Sequence, residues 1–175
     1  MLPELLIAYV TRGGSTAEVA EALGVSLREA GILVQVEPMN QVESLLGWKA
    51  LIVGAPLYMG GFPGDLYKFF QRHRETLDVL HPWCFVLGPT RNDPKDFESA
   101  RDQAEKQFKK YPWFTPAELH VFGGKWDPMT MPFPFSLLLK LPANPMRKIP
   151  ASDIRDWAAI REWGQGIARQ VKSAA

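Results

Sequence analysis

Residues 5–16 read Leu5-Leu6-Ile7-Ala8-Tyr9-Val10-Thr11-Arg12-Gly13-Gly14-Ser15-Thr16, and an amphipathic helical pattern follows. An apolar strand runs into a short loop of hydroxyls and glycines, and the loop opens a helix. Backbone N–H groups at a helix start lack intrahelical acceptors, and the helix dipole favours negative charge there. The glycines let the backbone curl around an anion, and the hydroxyls of Thr11, Ser15 and Thr16 donate to its oxygens. No Gly-Lys-Ser/Thr closes the loop and no G-x-G-x-x-G occurs in it, so it is neither a triphosphate loop nor a dinucleotide fingerprint. With Arg12 as its cation, the loop suits a phosphate monoester held mainly by neutral donors. A plainer role is compatible with this one: Ser15 and Glu18 have the spacing of a helix-capping box.

A chain of 175 residues, 46% hydrophobic and 22% charged, is read as one domain over 1–175 with room for a core. The net charge is +1 and no basic run stands out, which argues against a nucleic-acid partner. The single cysteine, Cys84, excludes an internal disulfide and a cysteine-based zinc cluster, and no metal site is expected. Cys84 lies in an apolar run and reads as a buried structural thiol. The first residues lack a basic region followed by a long apolar core, and no run is long enough to span a bilayer. A cytoplasmic protein is the expectation.

Beyond the first junction, β-rich apolar runs alternate with helical patterns. Strands are predicted at about Glu4–Val10, Leu33–Pro38, Ala50–Gly54, Trp83–Leu87 and Glu118–Phe122. Helices are predicted at about Thr16–Ala30 and from Pro63 through Leu77. Another starts at Asn92 or Asp93 and stops by Pro112, and the last spans about Ser152–Val171. A short helix or turn is placed near Gln41–Leu46. The stretch 125–151 is proline-rich, apolar and irregular. This alternation predicts a parallel sheet covered on both faces.

If the first loop holds a phosphate, the loops after strands three and four should complete the site. The first of these runs from Gly54 to Pro63 and contains Pro56, Leu57, Tyr58, Met59 and Gly60. It is apolar and aromatic, suited to a flat ring, with Tyr58 the candidate for stacking; the alternative is a core plug with Tyr58 on the surface. The second contains Pro89, Thr90 and Arg91, offering backbone N–H groups or a cation; the alternative is a helix-capping loop with a solvated arginine.

Over nearly its whole length the chain resembles the flavodoxin superfamily. Within it, the chain is similar to the flavodoxin-domain branch that includes the menaquinone-dependent protoporphyrinogen oxidases. The residues are T-R-G-G-S-T-A-E-V-A at 11–20, V-G-A-P-L-Y-M-G at 53–60, F-G-G-K-W-D-P at 122–128 and D-I-R-D-W-A-A-I-R-E-W at 153–163. The resemblance implies a flavodoxin-like three-layer α/β sandwich, its five-stranded parallel sheet in the order 2-1-3-4-5. It also implies FMN at the switch point between strands one and three. Thr11, Arg12, Gly13, Gly14, Ser15 and Thr16 match the phosphate loop. Pro56, Leu57, Tyr58, Met59 and Gly60 match the ring loop, and Pro89, Thr90 and Arg91 the third. Asp153, Arg155, Asp156 and Trp157 open the last helix in this reading, with an ion pair among them.

Two functions follow from the resemblance. One is an FMN oxidoreductase passing electrons from a reduced tetrapyrrole to a quinone; the other is an electron shuttle without its own substrate, docking on a redox protein. A domain that has lost its flavin is the third reading, against which the intact loops stand. Shuttles tend to be strongly acidic, and 19 acidic against 20 basic residues is not. No catalytic residue is assigned, because His73, His81 and His120 read as structural. The apolar stretch 131–141 either packs over the sheet edge or meets a membrane surface, a quinone or another subunit.

Overall fold

Alternating burial along the first strand sets the layers. In the computed structural model, which describes residues 4–58, 61–128, 137, 141 and 150–174, β1 (Leu5–Tyr9) sends Leu5 and Ile7 to one face and Leu6 and Ala8 to the other. All four are fully buried, as a strand covered on both sides requires. The first face meets Val19, Ala20, Leu23 and Leu27 of α1 (Ser15–Glu29) and Ile160, Trp163 and Ile167 of α5 (Trp157–Ser173). The second meets Leu66, Phe69 and Phe70 of α2 (Gly64–Arg72), Leu77 of α3 (Arg74–Leu80) and Ala104 and Phe108 of α4 (Pro94–Phe108).

The sheet adds β2 (Val34–Pro38), β3 (Ala50–Pro56), β4 (Trp83–Leu87) and β5 (Glu118–Phe122), all parallel, in the order β2-β1-β3-β4-β5. This is the expected flavodoxin-like order. The chain winds one way from β1 to β2 and the other way from β3 to β5. Right-handed crossovers therefore put α1 on one face and α2–α4 on the other. The reversal leaves a crevice between the ends of β1 and β3.

Four local expectations need correction. The helix expected from Pro63 through Leu77 is two, because the backbone at His73 leaves helical geometry (φ −111°, ψ 21°). Near 41–46 the turn forms and not the helix, as one of the two alternatives had it: Gln41 N–H donates to Pro38 O at 2.9 Å, and Val42 and Leu45 plug the core. β3 runs on to Pro56, since Leu57 N–H still donates to Leu87 O of β4 at 2.8 Å. The last helix begins at Trp157, capped by Asp156, whose carboxylate accepts from the N–H groups of Ala158 and Ala159. Ser152–Asp153 is instead a short strand, β7, antiparallel to β6 (Lys125–Trp126), so the stretch 125–151 is not irregular throughout.

Cys84 is a buried thiol whose pKa burial drives far up, so it stays protonated. His73 is 7% exposed, packs on Phe69, and has its pKa lowered, first by burial and then by Arg72. The unfolded chain takes up this proton near pH 6.5 while the fold resists it. Stability is therefore expected to fall as pH drops below about 6.5. Denaturant melts at pH 7.5 and 5.5 test this, and a His73→Leu variant should show the smaller drop.

Candidate functional site

The three expected loops all leave the carboxyl ends of adjacent strands: the first after β1, the second after β3, the third after β4. Hydrogen bonds carry the strands into them. Val10 N–H donates to Gly54 O at 2.9 Å, which sets the first loop against the end of β3.

In the first loop, Thr11 Oγ1 accepts from Gly14 N–H at 3.0 Å and closes a tight turn. Gly14 is the helix cap, at φ +88°, a left-handed conformation that favours glycine. This corrects the capping-box reading. Ser15 lies inside the first turn, no side chain caps the helix, and Glu18 turns to Arg155 instead. The first-turn N–H groups of Ser15, Thr16 and Ala17 therefore have no intrahelical acceptor. Thr16 is fully buried, and its Oγ1 has no hydrogen-bond partner. A buried hydroxyl left unpaired beside a row of free N–H groups is a donor set that lacks its acceptor. The oxygens of a phosphate would complete it. On this observation the loop fits the FMN phosphate.

In the second loop, Tyr58 and Gly61 exchange both backbone hydrogen bonds, at 2.9 and 2.8 Å, forming a tight reversal; Met59 and Gly60, between them, lie outside the described residues. Tyr58 keeps 40% of its surface exposed, which leaves a ring available for stacking. Burial of the rest raises its phenol pKa, and the nearby charge of Arg12 pulls it back, so the first two loops face each other. Pro56 is buried in the end of β3 and Leu57 is half-buried. Gly54, expected at the end of the third strand, lies inside β3, and what approaches it is the ring of Phe85.

In the third loop, Pro89 is buried, Thr90 half-buried and Arg91 exposed. The Arg91 guanidinium donates to Asp96 of α4 at 3.0 Å, so it is a solvated ion pair. Pro89 O accepts from Gly124 N–H at 2.6 Å. Gly124 O in turn accepts from Ile154 N–H at 3.1 Å, so the third loop is tied to the segment that carries Arg155. A Cβ on Gly123 would lie 2.4 Å from Ile154 O, which makes glycine necessary for that approach.

The residues read as opening the last helix divide by role. Asp156 caps it, whereas Asp153 and Arg155 precede it and pair with each other. The contact of Arg155 with Glu18 spans 137 positions and has no local sequence signal. None of the three histidines lies in the three loops: His73 is between α2 and α3, His81 precedes β4, and His120 is within β5. Of the apolar stretch 131–141, Leu137 and Leu141 are exposed and the rest lies outside the described residues. Among the described residues no helix is long and apolar enough to cross a membrane.

A curated relative, protoporphyrinogen IX dehydrogenase [quinone] of Escherichia coli K12, is 20% identical over 93% of both chains. Oxidised flavodoxin 2 from Bacillus cereus matches with a TM-score of 0.58 at 18% identity, covering 98% of this chain and 99% of its own. A flavodiiron core from Synechocystis matches at 0.61 and 16% identity, covering 99% of this chain and 37% of its own. The sequence model described as a flavodoxin domain matches residues 6–136. The chain belongs to the flavodoxin domain family, and its cofactor is FMN.

Proposed function

We propose that the chain is an FMN-dependent dehydrogenase that oxidises a reduced tetrapyrrole of the protoporphyrinogen type with a quinone as acceptor. The observation that carries this reading is the likeness to a quinone-dependent protoporphyrinogen IX dehydrogenase over 93% of both chains. The fold and cofactor alone support the broader activity, flavin-based electron transfer. Each turn takes two electrons and two protons from the substrate and delivers them to one quinone, giving the quinol. FMN supplies the two-electron redox chemistry when bound.

The chain supplies binding and orientation. Thr11, Arg12, Gly13, Gly14, Ser15 and Thr16 hold the phosphate, through backbone N–H groups and hydroxyls more than through charge. Tyr58 covers a ring face, with Pro56, Leu57, Met59 and Gly60 building its loop. Pro89, Thr90 and the backbone beside Arg91 line the third side. A flavin dehydrogenase needs no protein acid or base, since the cofactor carries the redox chemistry. Exposed Leu137 and Leu141 support a contact of their apolar stretch with a quinone-bearing membrane surface.

The test is anaerobic: FMN-loaded protein is mixed with protoporphyrinogen IX and a menaquinone analogue, and protoporphyrin fluorescence is followed. Quinone-dependent appearance of protoporphyrin is the expected result. Reduction by a redox-protein partner, with no turnover of the tetrapyrrole, would replace this reading with that of an electron shuttle.

A further inference from the structure

Arg155 is the charged side chain nearest to full burial among the described residues, with 3% of its side chain exposed. Its Nε and Nη2 donate to the two Asp153 oxygens at 2.8 and 2.6 Å. Its Nη1 donates to Glu18 at 2.7 Å and to Ser15 O at 3.4 Å. The ring of Trp157 lies against the guanidinium, 4.6 Å from its carbon. One arginine thus joins the segment before α5 to the first turn of α1, the turn that carries Ser15 and Thr16.

The charges there raise a question that packing does not answer. Glu18 sits in the first turn of α1, where an anion gains from the helix dipole. The same turn is the one read as holding a phosphate, and a free carboxylate beside a phosphate would repel it. Arg155 Nη1 holds the Glu18 carboxylate in an ion pair while it also donates to Ser15 O. Only an arginine can serve Asp153 with a two-pronged fork while keeping a third N–H for Glu18.

We propose that Arg155 is a positioning residue for FMN: it holds the Glu18 carboxylate in an ion pair and anchors the Ser15 carbonyl, so that the first turn of α1 offers the phosphate its donors with that carboxylate already paired. This rests on the phosphate-loop reading above. It predicts an effect specific to the phosphate, not to the flavin ring.

The experiment compares FMN with riboflavin, which lacks the phosphate, in fluorescence titrations of the full-length apoprotein at low salt. The wild-type chain should bind FMN more tightly than riboflavin. Equal binding would remove the phosphate-loop reading, and this proposal with it, before any substitution is made. Arg155→Met should weaken FMN about tenfold and leave riboflavin within about twofold, with the FMN loss shrinking in high salt. Adding Glu18→Gln to that variant should recover most of the FMN affinity. Equal weakening of both flavins, or no recovery in the double variant, overturns the proposal in favour of a scaffold role. If the methionine variant does not fold, Arg155→Lys serves. It should weaken FMN several-fold with riboflavin unchanged, and unchanged FMN affinity would overturn the proposal.

Discussion

Thr16→Asp is expected to abolish FMN binding. Thr16 is fully buried in the first turn of α1, its hydroxyl has no partner, and the first-turn N–H groups beside it are free. A carboxylate there occupies the donor set and sets like charge against the phosphate, with no water to screen it. The same carboxylate would also strain the fold, because it is a buried charge. Thr16→Val separates the two effects. Valine keeps the shape and removes the hydroxyl, so FMN affinity should fall about tenfold, the equivalent of one hydrogen bond to a charged group. The stability of the flavin-free protein should hold or rise by about 1 kcal/mol, since an unsatisfied buried hydroxyl has been replaced by a methyl. Flavin titrations and denaturant melts read both quantities. Unchanged FMN affinity in the aspartate variant would sink the assignment of this loop to the phosphate.

Gly54→Ala is expected to be the most damaging small substitution in the sheet. Gly54 lies directly opposite Phe85 across the β3–β4 ladder. A Cβ on Gly54 would fall 2.1 Å from Phe85 Cζ and 2.4 Å from Cε1. The phenylalanine has no room to yield: it is 1% exposed, with the rings of Phe122 and Trp163 at 6.2 and 6.3 Å. Overpacking of this kind should cost about 3 kcal/mol and lower Tm by roughly 6–12 °C. A second change, Phe85→Leu, should restore much of the loss, because the clash is with the ring and not with the backbone. A Gly54→Ala protein as stable as the parent would show that Phe85 does not lie across Gly54.

The expected sheet order is the one observed, and so are the positions of its five strands apart from the longer β3, because each β-strand carries its own run of apolar residues and the helices between them announce their faces by spacing. The geometry of the first loop is legible for a similar reason: strand, glycine turn and helix start are contiguous over residues 5–17. Pattern failed where neighbours in space are distant in sequence. Glu18 was assigned to Ser15 by the local rule of a capping box, and the fold gives it to Arg155. The buried guanidinium, with its fork on Asp153, keeps an N–H for Glu18 and outcompetes a backbone N–H for that carboxylate, so the first-turn N–H groups keep no intrahelical acceptor.

The same limit applies to the glycines. Gly54 reads as the end of a strand opening a loop, yet β3 runs past it, and its missing side chain is replaced by a ring from the next strand. The helix from Pro63 divides at His73 because that side chain turns into the core, which periodicity across the junction does not register. Sequence by itself determined the family, the layer order and the strand–glycine turn–helix start of the first loop, since all three rest on contiguous patterns. The tertiary structure alone decided which charges pair and which donors stay unpaired. Those depend on the distances between Glu18, Asp153 and Arg155, and between Thr16 and any acceptor, and such distances exist only once the chain has folded.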